Sequence, residues 1–262
     1  MSTLCCFHAH PDDECLITGG LIARAAREGH RVILVVATGG EEGEYPEGFI
    51  SSREDLAPVR AQELDASAKI LGVEKVYMLG YRDSGMVGTP ENLHPDCFAN
   101  ADLQIAAASL ASILRDEGVD ALTVYDSNGG YGHPDHIMVH QVGIAAAEIA
   151  GVSDVLEATM NMDHFQELMR AMPVEKFDEL PEEMRSEIQG SGFGMPASAI
   201  NTEIDVSEYV ELKFRALSAH LSQRESTAFA FALDRATFDA AFGTEWFISR
   251  SEDEGTRRAG LF

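Results

Sequence analysis

Lysine is scarce in this chain, and that scarcity limits what the surface can bind. Four lysines (Lys69, Lys75, Lys176 and Lys213) stand among 262 residues; with arginine they make 19 basic groups against 44 acidic ones, a formal charge of −25. Such a surface repels phosphate backbones and anionic lipid, so no nucleic acid and no membrane is expected as a partner, while a homo-oligomer stays open. The acidic excess fits two readings, a surface kept soluble in a salt-rich cytoplasm or an ordinary acidic protein. Cysteine is sparse as well. Cys5, Cys6, Cys15 and Cys97 form no C-x-x-C pair, which speaks against a disulfide framework and a thiolate zinc site and leaves buried free thiols as the expectation. Any metal must then rely on His, Asp and Glu. No stretch approaches about eighteen uninterrupted apolar residues, and the N-terminus lacks a basic segment followed by an apolar one, so a soluble, cytoplasmic protein is expected. A G-x-G-x-x-G after the first apolar run is also missing, and "GGEEGE" (39–44) is too acidic to cradle phosphate, which argues against a nucleotide-binding domain.

What the chain does have is a rhythm. The apolar fraction of 45% supports a substantial core, and the first 160 residues alternate short apolar runs with helix-period segments. That is the pattern of βαβ units building a parallel sheet, an α/β fold. Strands are expected at about 3–8, 31–37, 75–79, 120–125 and 153–159, with helices at about 16–29, 52–72, 101–117 and 135–150. Right-handed crossovers place the loops after the first four strands on one edge of the sheet, where open α/β sheets bind ligands. Beyond residue 160 the rhythm changes: residues 163–195 hold eight acids, three bases and a Gly-rich end, read as a helical excursion or lid. A strand at 201–206, a helix at 207–222, and a further helix with an aromatic patch at 234–248 follow, and the last dozen residues are expected to be disordered.

The chemistry is expected in those loops. "HAHPDDE" (8–14) closes the first strand, and carboxylates crowded there need partners. "HPDH" (133–136) repeats the same His-Pro-Asp grammar after the fourth strand, on the same edge. Two imidazoles and one carboxylate with an open position make a catalytic zinc site, so His10, Asp13 and His136 are the expected ligands of Zn2+; Fe2+ or another divalent ion suits the set too. Asp12 then lies beside the metal as general base, and His133 can hydrogen-bond an oxyanion. Asp135 and Glu14 are candidates to hold the ligating imidazoles. His140, one turn after His136, is a competing ligand; His8 is expected to face the core, and His30, His94 and His164 to be surface or loop residues.

"AHPDDE" together with "GGYGHPDH" resembles the zinc-dependent N-deacetylases of the family named for the GlcNAc-phosphatidylinositol de-N-acetylase (PIG-L) and the LmbE-like proteins. The resemblance covers residues 4–160 and resumes at 196–223, where "AHLSQ" (219–223) looks like the family's late histidine motif. It implies a single LmbE-like domain over 1–262: a Rossmann-like parallel sheet flanked by helices over 1–160, with a smaller C-terminal αβ portion over 161–262. It also implies zinc at His10, Asp13 and His136, Asp12 as base, and His133 assisting the tetrahedral intermediate. Within the family, "GEEGE" (40–44), "YRDSGM" (81–86) and "NGGYGHPDH" (128–136) are similar to the actinobacterial deacetylase of N-acetylglucosaminyl-inositol in mycothiol biosynthesis. By that resemblance Arg60 and Asp83 hold sugar hydroxyls of a small-molecule amino-sugar substrate, and Tyr131 reaches toward the reacting amide. The alternatives are an amidase of mycothiol S-conjugates and a non-catalytic sugar-binding module. The amidases tend to carry a lysine just after the first motif, where this chain has Cys15, and a binding module has no need of Asp12 or an open metal position.

Overall fold

A computed structural model describes residues 1–171 and 194–251. Its strands are β1 (Thr3–His8), β2 (Arg31–Thr38), β3 (Lys75–Tyr81), β4 (Ala121–Tyr125), β5 (Asp154–Thr159), β6 (Thr202–Asp205) and β7 (Thr244–Ser249). They form one sheet in the order β3-β2-β1-β4-β5-β7-β6. The first five strands are parallel, whereas β7 runs antiparallel to both β5 and β6. Chain order reverses between β1 and β4, so the loops that leave these two neighbours part company and open the crevice in which such sheets bind ligands.

Both faces of the sheet are covered, which is why β1 and β2 read as unbroken apolar runs rather than alternating ones. Side chains still alternate between faces. Leu4, Cys6, Val32, Leu34 and Val36 join one core, and Cys5, Phe7, Ile33, Val35 and Ala37 join the other. Against the second face lie α4 (Leu103–Asp116) and α5 (Pro134–Ala150). The Asp102 carboxylate starts α4 by accepting from the Gln104 and Ile105 N–H groups at 2.9 and 3.1 Å. Its buried stripe, Ala106, Ala107, Leu110, Ala111 and Leu114, follows helical spacing. Burying a leucine of this kind stabilises by roughly 1.5–3 kcal/mol.

The first face is covered by α1 (Asp13–Ile17), α2 (Gly19–Arg27), α3 (Leu56–Leu71) and α7 (Val210–Leu217), with α6 (Met162–Ala171) and α8 (Arg235–Phe242) farther along. A single helix at 16–29 was expected; the chain instead breaks at Thr18, whose hydroxyl meets His8 Nε2 at 2.8 Å. The aromatic patch expected near 246 is β7, inserted between β5 and β6. Glu245 of β7 docks the C-terminal segment on the core, accepting from the Gly20 and Leu21 N–H groups and pairing with Lys213, each at 2.8 Å. The expected helix at 207–222 ends at Leu217 and continues as a single turn, Leu221–Gln223. The lid reading of 163–195 and the disordered tail lie largely outside the described residues.

Candidate active site

Two loops meet at the crevice. His10 and Asp13 leave β1, while His133 to His136 begin α5 after β4. His133 sits at the N-cap of α5, where its Nδ1 accepts from the Asp135 N–H at 3.1 Å, and Pro134 occupies the first helical position. Because Nδ1 accepts, the ring proton of His133 is assigned to Nε2, which is left as a donor. One turn of helix then brings His136 to the same side.

His10 Nδ1 lies 3.4 Å from His136 Nε2 and 3.4 Å from Asp13 Oδ2, and His136 Nε2 lies 3.5 Å from Asp13 Oδ1. Bonds of about 2.0–2.2 Å in a tetrahedral site hold ligand atoms about 3.3–3.6 Å apart. The two imidazole nitrogens have that spacing, and the Asp13 carboxylate spans them with one oxygen toward each. Two imidazole nitrogens facing each other can share one proton at most, and a divalent cation satisfies both together with the carboxylate. The far nitrogen of His10, Nε2, is held by Asp135 Oδ2 at 3.2 Å and approaches Asp83 Oδ1 at 3.5 Å, the arrangement by which carboxylates orient metal-bound imidazoles. Asp135 is held in turn by the N–H of Ser84 at 3.0 Å and by its hydroxyl. Groupings of His10, His133 and His136, and of His10, Asp83, His133 and Asp135, also bring possible ligand atoms within 4.8 Å of one another. Of these, Asp83 and Asp135 approach the His10 nitrogen that faces away from His136. Burial lowers His136 to about 3 despite the attraction of Asp13. It opposes charge on His10 too, yet Asp83, Asp13 and Asp135 outweigh it and hold His10 well above the usual imidazole value.

Asp12 is the sole non-glycine residue at positive φ among the described residues (φ 112°, ψ −27°). Such a backbone costs on the order of 1–3 kcal/mol and persists only where its surroundings over-determine it. Here they do. The Asp12 N–H donates to Glu14 Oε2 at 2.9 Å, Arg60 donates to the Pro11 carbonyl, and Arg60 Nη2 lies 3.3 Å from Asp12 Oδ1. Burial pushes the Asp12 carboxyl up to about 6, with Arg60 pulling it down and Asp13 pushing it up.

The polar stripe of α3 organises this corner. Arg60, Glu63 and Ser67 lie on one buried face of the helix. Arg60 also donates to the Gly40 carbonyl at 2.7 Å. A side chain at Gly40 or Gly43 would collide with its guanidinium, since a Cβ there would lie 2.4 or 2.5 Å from Nη1. Glu63 accepts from the Ser222 N–H and hydroxyl at 2.8 and 2.6 Å. Ser67 donates to Glu14 Oε1 at 2.5 Å.

Glu14 does not support a ligating imidazole, as the sequence suggested. It turns to His220 Nε2 at 2.8 Å and to Cys15 Sγ at 3.2 Å. Glu14, Cys15 and His220 also form a grouping of possible metal ligands, but a 2.8 Å separation is that of a hydrogen bond. Burial works to raise Glu14, and His220 and Ser67 outweigh it, holding the carboxyl at about 2. His140 is not in the cluster: its Nδ1 meets the Tyr125 carbonyl at 3.0 Å. His8 is buried on the Tyr125 hydroxyl at 3.0 Å. All four cysteines are free and buried.

Asp83 is 3% exposed; its carboxylate accepts from the Gly85 and Glu42 N–H groups at 2.9 and 3.1 Å. Arg60, also 3% exposed, spends its described contacts on protein atoms. Tyr131, 46% exposed, stands over the cluster with its ring 5.0 Å from His136 and 6.1 Å from His133. Sequence reading missed Tyr125, Ser67 and Ser84. Each is an ordinary apolar or small residue of a strand, helix or turn, and only the fold gives it a polar neighbour. No helix among the described residues is long and apolar enough to cross a membrane.

The model of the PIG-L family, described as GlcNAc-PI de-N-acetylase, matches residues 5–147, a span that holds both loops of the site. A protein of Thermobispora bispora named 1D-myo-inositol 2-acetamido-2-deoxy-alpha-D-glucopyranoside deacetylase is 39% identical, with 97% of this chain and 90% of that protein covered. The protein of that name from Acidothermus cellulolyticus is 38% identical over 92% of this chain and 86% of its own. Among solved structures, N,N'-diacetylchitobiose deacetylase from Pyrococcus horikoshii shares the fold, with a TM-score of 0.61, 23% identity, and 95% and 84% of the two chains covered. With the family model spanning more than half of the chain and relatives of this identity spanning nearly all of it, the chain belongs to the PIG-L family of de-N-acetylases.

Proposed function

We propose that the protein is a metal-dependent N-deacetylase that removes acetyl from an N-acetylglucosamine-type glycoside, with N-acetylglucosaminyl-inositol as its substrate. The observation that carries this reading is the pair of His10 Nδ1 and His136 Nε2, 3.4 Å apart and spanned by the two oxygens of the Asp13 carboxylate at 3.4 and 3.5 Å, beside a second carboxylate, Asp12, held in a strained loop. The names of the relatives supply the substrate.

In this reading His10, Asp13 and His136 hold the ion, and zinc suits two nitrogens and one oxygen, as Fe2+ or another divalent ion does. When bound, such an ion polarises an acyl oxygen and makes water a nucleophile near neutral pH. Asp12 takes the proton of the attacking water. His133, with Nδ1 occupied by the Asp135 N–H, donates from Nε2 to the oxygen that gains charge. Protonated Asp12 then gives that proton to the leaving amine, so that acetate and a free amino sugar result. Tyr131 reaches over the amide from the mouth. Asp83 keeps accepting capacity for a sugar hydroxyl, and Arg60 borders the same wall. Four free, buried thiols suit the reducing cytoplasm.

The test is acetate release from N-acetylglucosamine and its inositol glycoside, run beside amide cleavage of thiol conjugates, on protein whose metal has been measured. Asp13→Ala and His136→Ala should lose metal. Asp12→Asn should retain it while kcat falls about 10²–10⁴-fold. Metal-loaded protein that releases no acetate but cleaves the conjugates would make it an amidase, and inertness toward both would leave a binding module.

A further inference from the structure

The late histidine motif, "AHLSQ", is absorbed by none of the roles above, yet each of its polar residues is engaged. His220 meets Glu14, Ser222 meets Glu63, and Gln223 Nε2 donates to the Glu44 carbonyl at 3.1 Å. His220 and Glu14 are both completely buried. A carboxylate shut away from water must be compensated, and Glu14 has its two oxygens divided between two tasks. Oε1 receives His220, Ser67 and Cys15, and Oε2 receives the backbone N–H of Asp12. The first set anchors the side chain so that the second atom stays where a left-handed Asp12 needs it.

We infer that His220, acting through Glu14, is a positioning residue for Asp12: it fixes the carboxylate that clamps the Asp12 backbone in its left-handed conformation and so aims the Asp12 side chain at the crevice. The inference rests on the proposed role of Asp12 as base. It makes the C-terminal segment part of the catalytic apparatus, because a residue 206 positions farther along the chain sets the geometry of the first motif. Arg60 holds the Pro11 carbonyl and Asp12 Oδ1, but it does not touch the Asp12 N–H, so the two restraints are distinct.

The experiment compares Asp12→Asn, His220→Gln and the double variant, with metal content, kcat and KM for acetate release from the N-acetylglucosaminyl-inositol glycoside, and a crystal structure of His220→Gln. The expected result is a fall of about 10–100-fold in kcat for His220→Gln, with KM and metal content unchanged and no further loss when it is added to Asp12→Asn. The crystal structure should have Asp12 out of the left-handed region. Should His220→Gln fail to fold, Glu14→Met, which is of similar length and carries neither oxygen, should show the same split, because nothing then accepts from the Asp12 N–H. Native kcat in His220→Gln alongside an impaired Asp12→Asn would overturn the inference and leave the base intact. So would loss of metal, a loss that multiplies in the double variant, or Asp12 retained at positive φ. Native kcat in Asp12→Asn would instead remove the base itself.

Discussion

Tyr125 lies flat against His136, with ring centroids 4.2 Å apart and planes 6° from parallel. The contact matters because His136 Nδ1 is buried without a hydrogen-bond partner among the described residues. His10 is oriented by Asp135, as imidazole ligands commonly are. For His136 that work falls to a stacked ring, itself fixed by the bond between its hydroxyl and His8.

Removing the plate should therefore loosen the metal. Tyr125→Leu should weaken metal affinity about 10–100-fold in a chelator competition, while Tyr125→Phe, which keeps the ring but loses the hydroxyl that fixes it on His8, should lose less. Equal affinities in all three proteins would deny the stacked ring any such role.

Gly40 leaves space that the Arg60 guanidinium fills. Its φ of +66° and the 2.4 Å approach of a Cβ to Arg60 Nη1 mean that Gly40→Ala displaces the group that contacts Asp12. The expected outcome is a fall in kcat of at least about tenfold with metal content unchanged. A variant as active as the parent would show that Asp12 holds its place without Arg60.

Close packing of α5 on the sheet depends on Gly143, where a Cβ would lie 2.2 Å from Val124 Cγ1. Neither group can move far inside the core, so Gly143→Ala should cost about 1–3 kcal/mol. For a chain of this size that lowers Tm by roughly 2–10 °C, and calorimetry measures it directly.

At the opposite end of the sheet Glu117 gathers Lys75, Tyr77 and Arg31. Hydrogen bonds from Lys75, Tyr77 and Arg31, in that order, hold its carboxyl at about 2. A depressed carboxyl stabilises the fold above its unfolded value, near 4.3, and loses that contribution as pH falls toward its folded value. The Tm difference between the parent and Glu117→Gln should thus be constant near neutrality and shrink between about pH 5 and pH 2. A difference independent of pH would assign the effect to packing.

The charge of −25 gives a test between the two readings of the acidic surface. Simple screening of repulsion is nearly complete by about 0.2 M salt, where the Debye length is below about 8 Å. An ordinary acidic protein should then reach a plateau in Tm, whereas a surface adapted to a salt-rich cytoplasm should keep gaining stability in KCl well beyond about 1 M. Thermal unfolding across a KCl series separates them.

Much of this was legible along the chain. The five parallel strands, the edge carrying the loops and the convergence of His10, Asp13 and His136 follow from apolar runs and a repeated His-Pro-Asp, because strand period and crossover hand leave few arrangements open. Strand β7 was not legible. "TEWFIS" is largely buried, shows no alternation, and follows α8 after a single glycine, so nothing local distinguishes it from an aromatic helix end. Glu14 was misread for a related reason: its neighbours in sequence are the proposed ligands His10 and Asp13, and its partner is His220.

The amino-acid sequence by itself determined the α/β alternation, the two His-Pro-Asp motifs on one edge and the kinship, since these depend on residue type and short spacings. Only the tertiary structure decided how the donors are held: Asp12 in a left-handed turn clamped by Glu14, the His136 ring against Tyr125, and Arg60, Glu63 and Ser67 as a buried polar stripe on α3. The physical reason is that a buried polar group takes its meaning from the partner that satisfies it, and here those partners are supplied by distant elements that meet only when the sheet and its helices have packed.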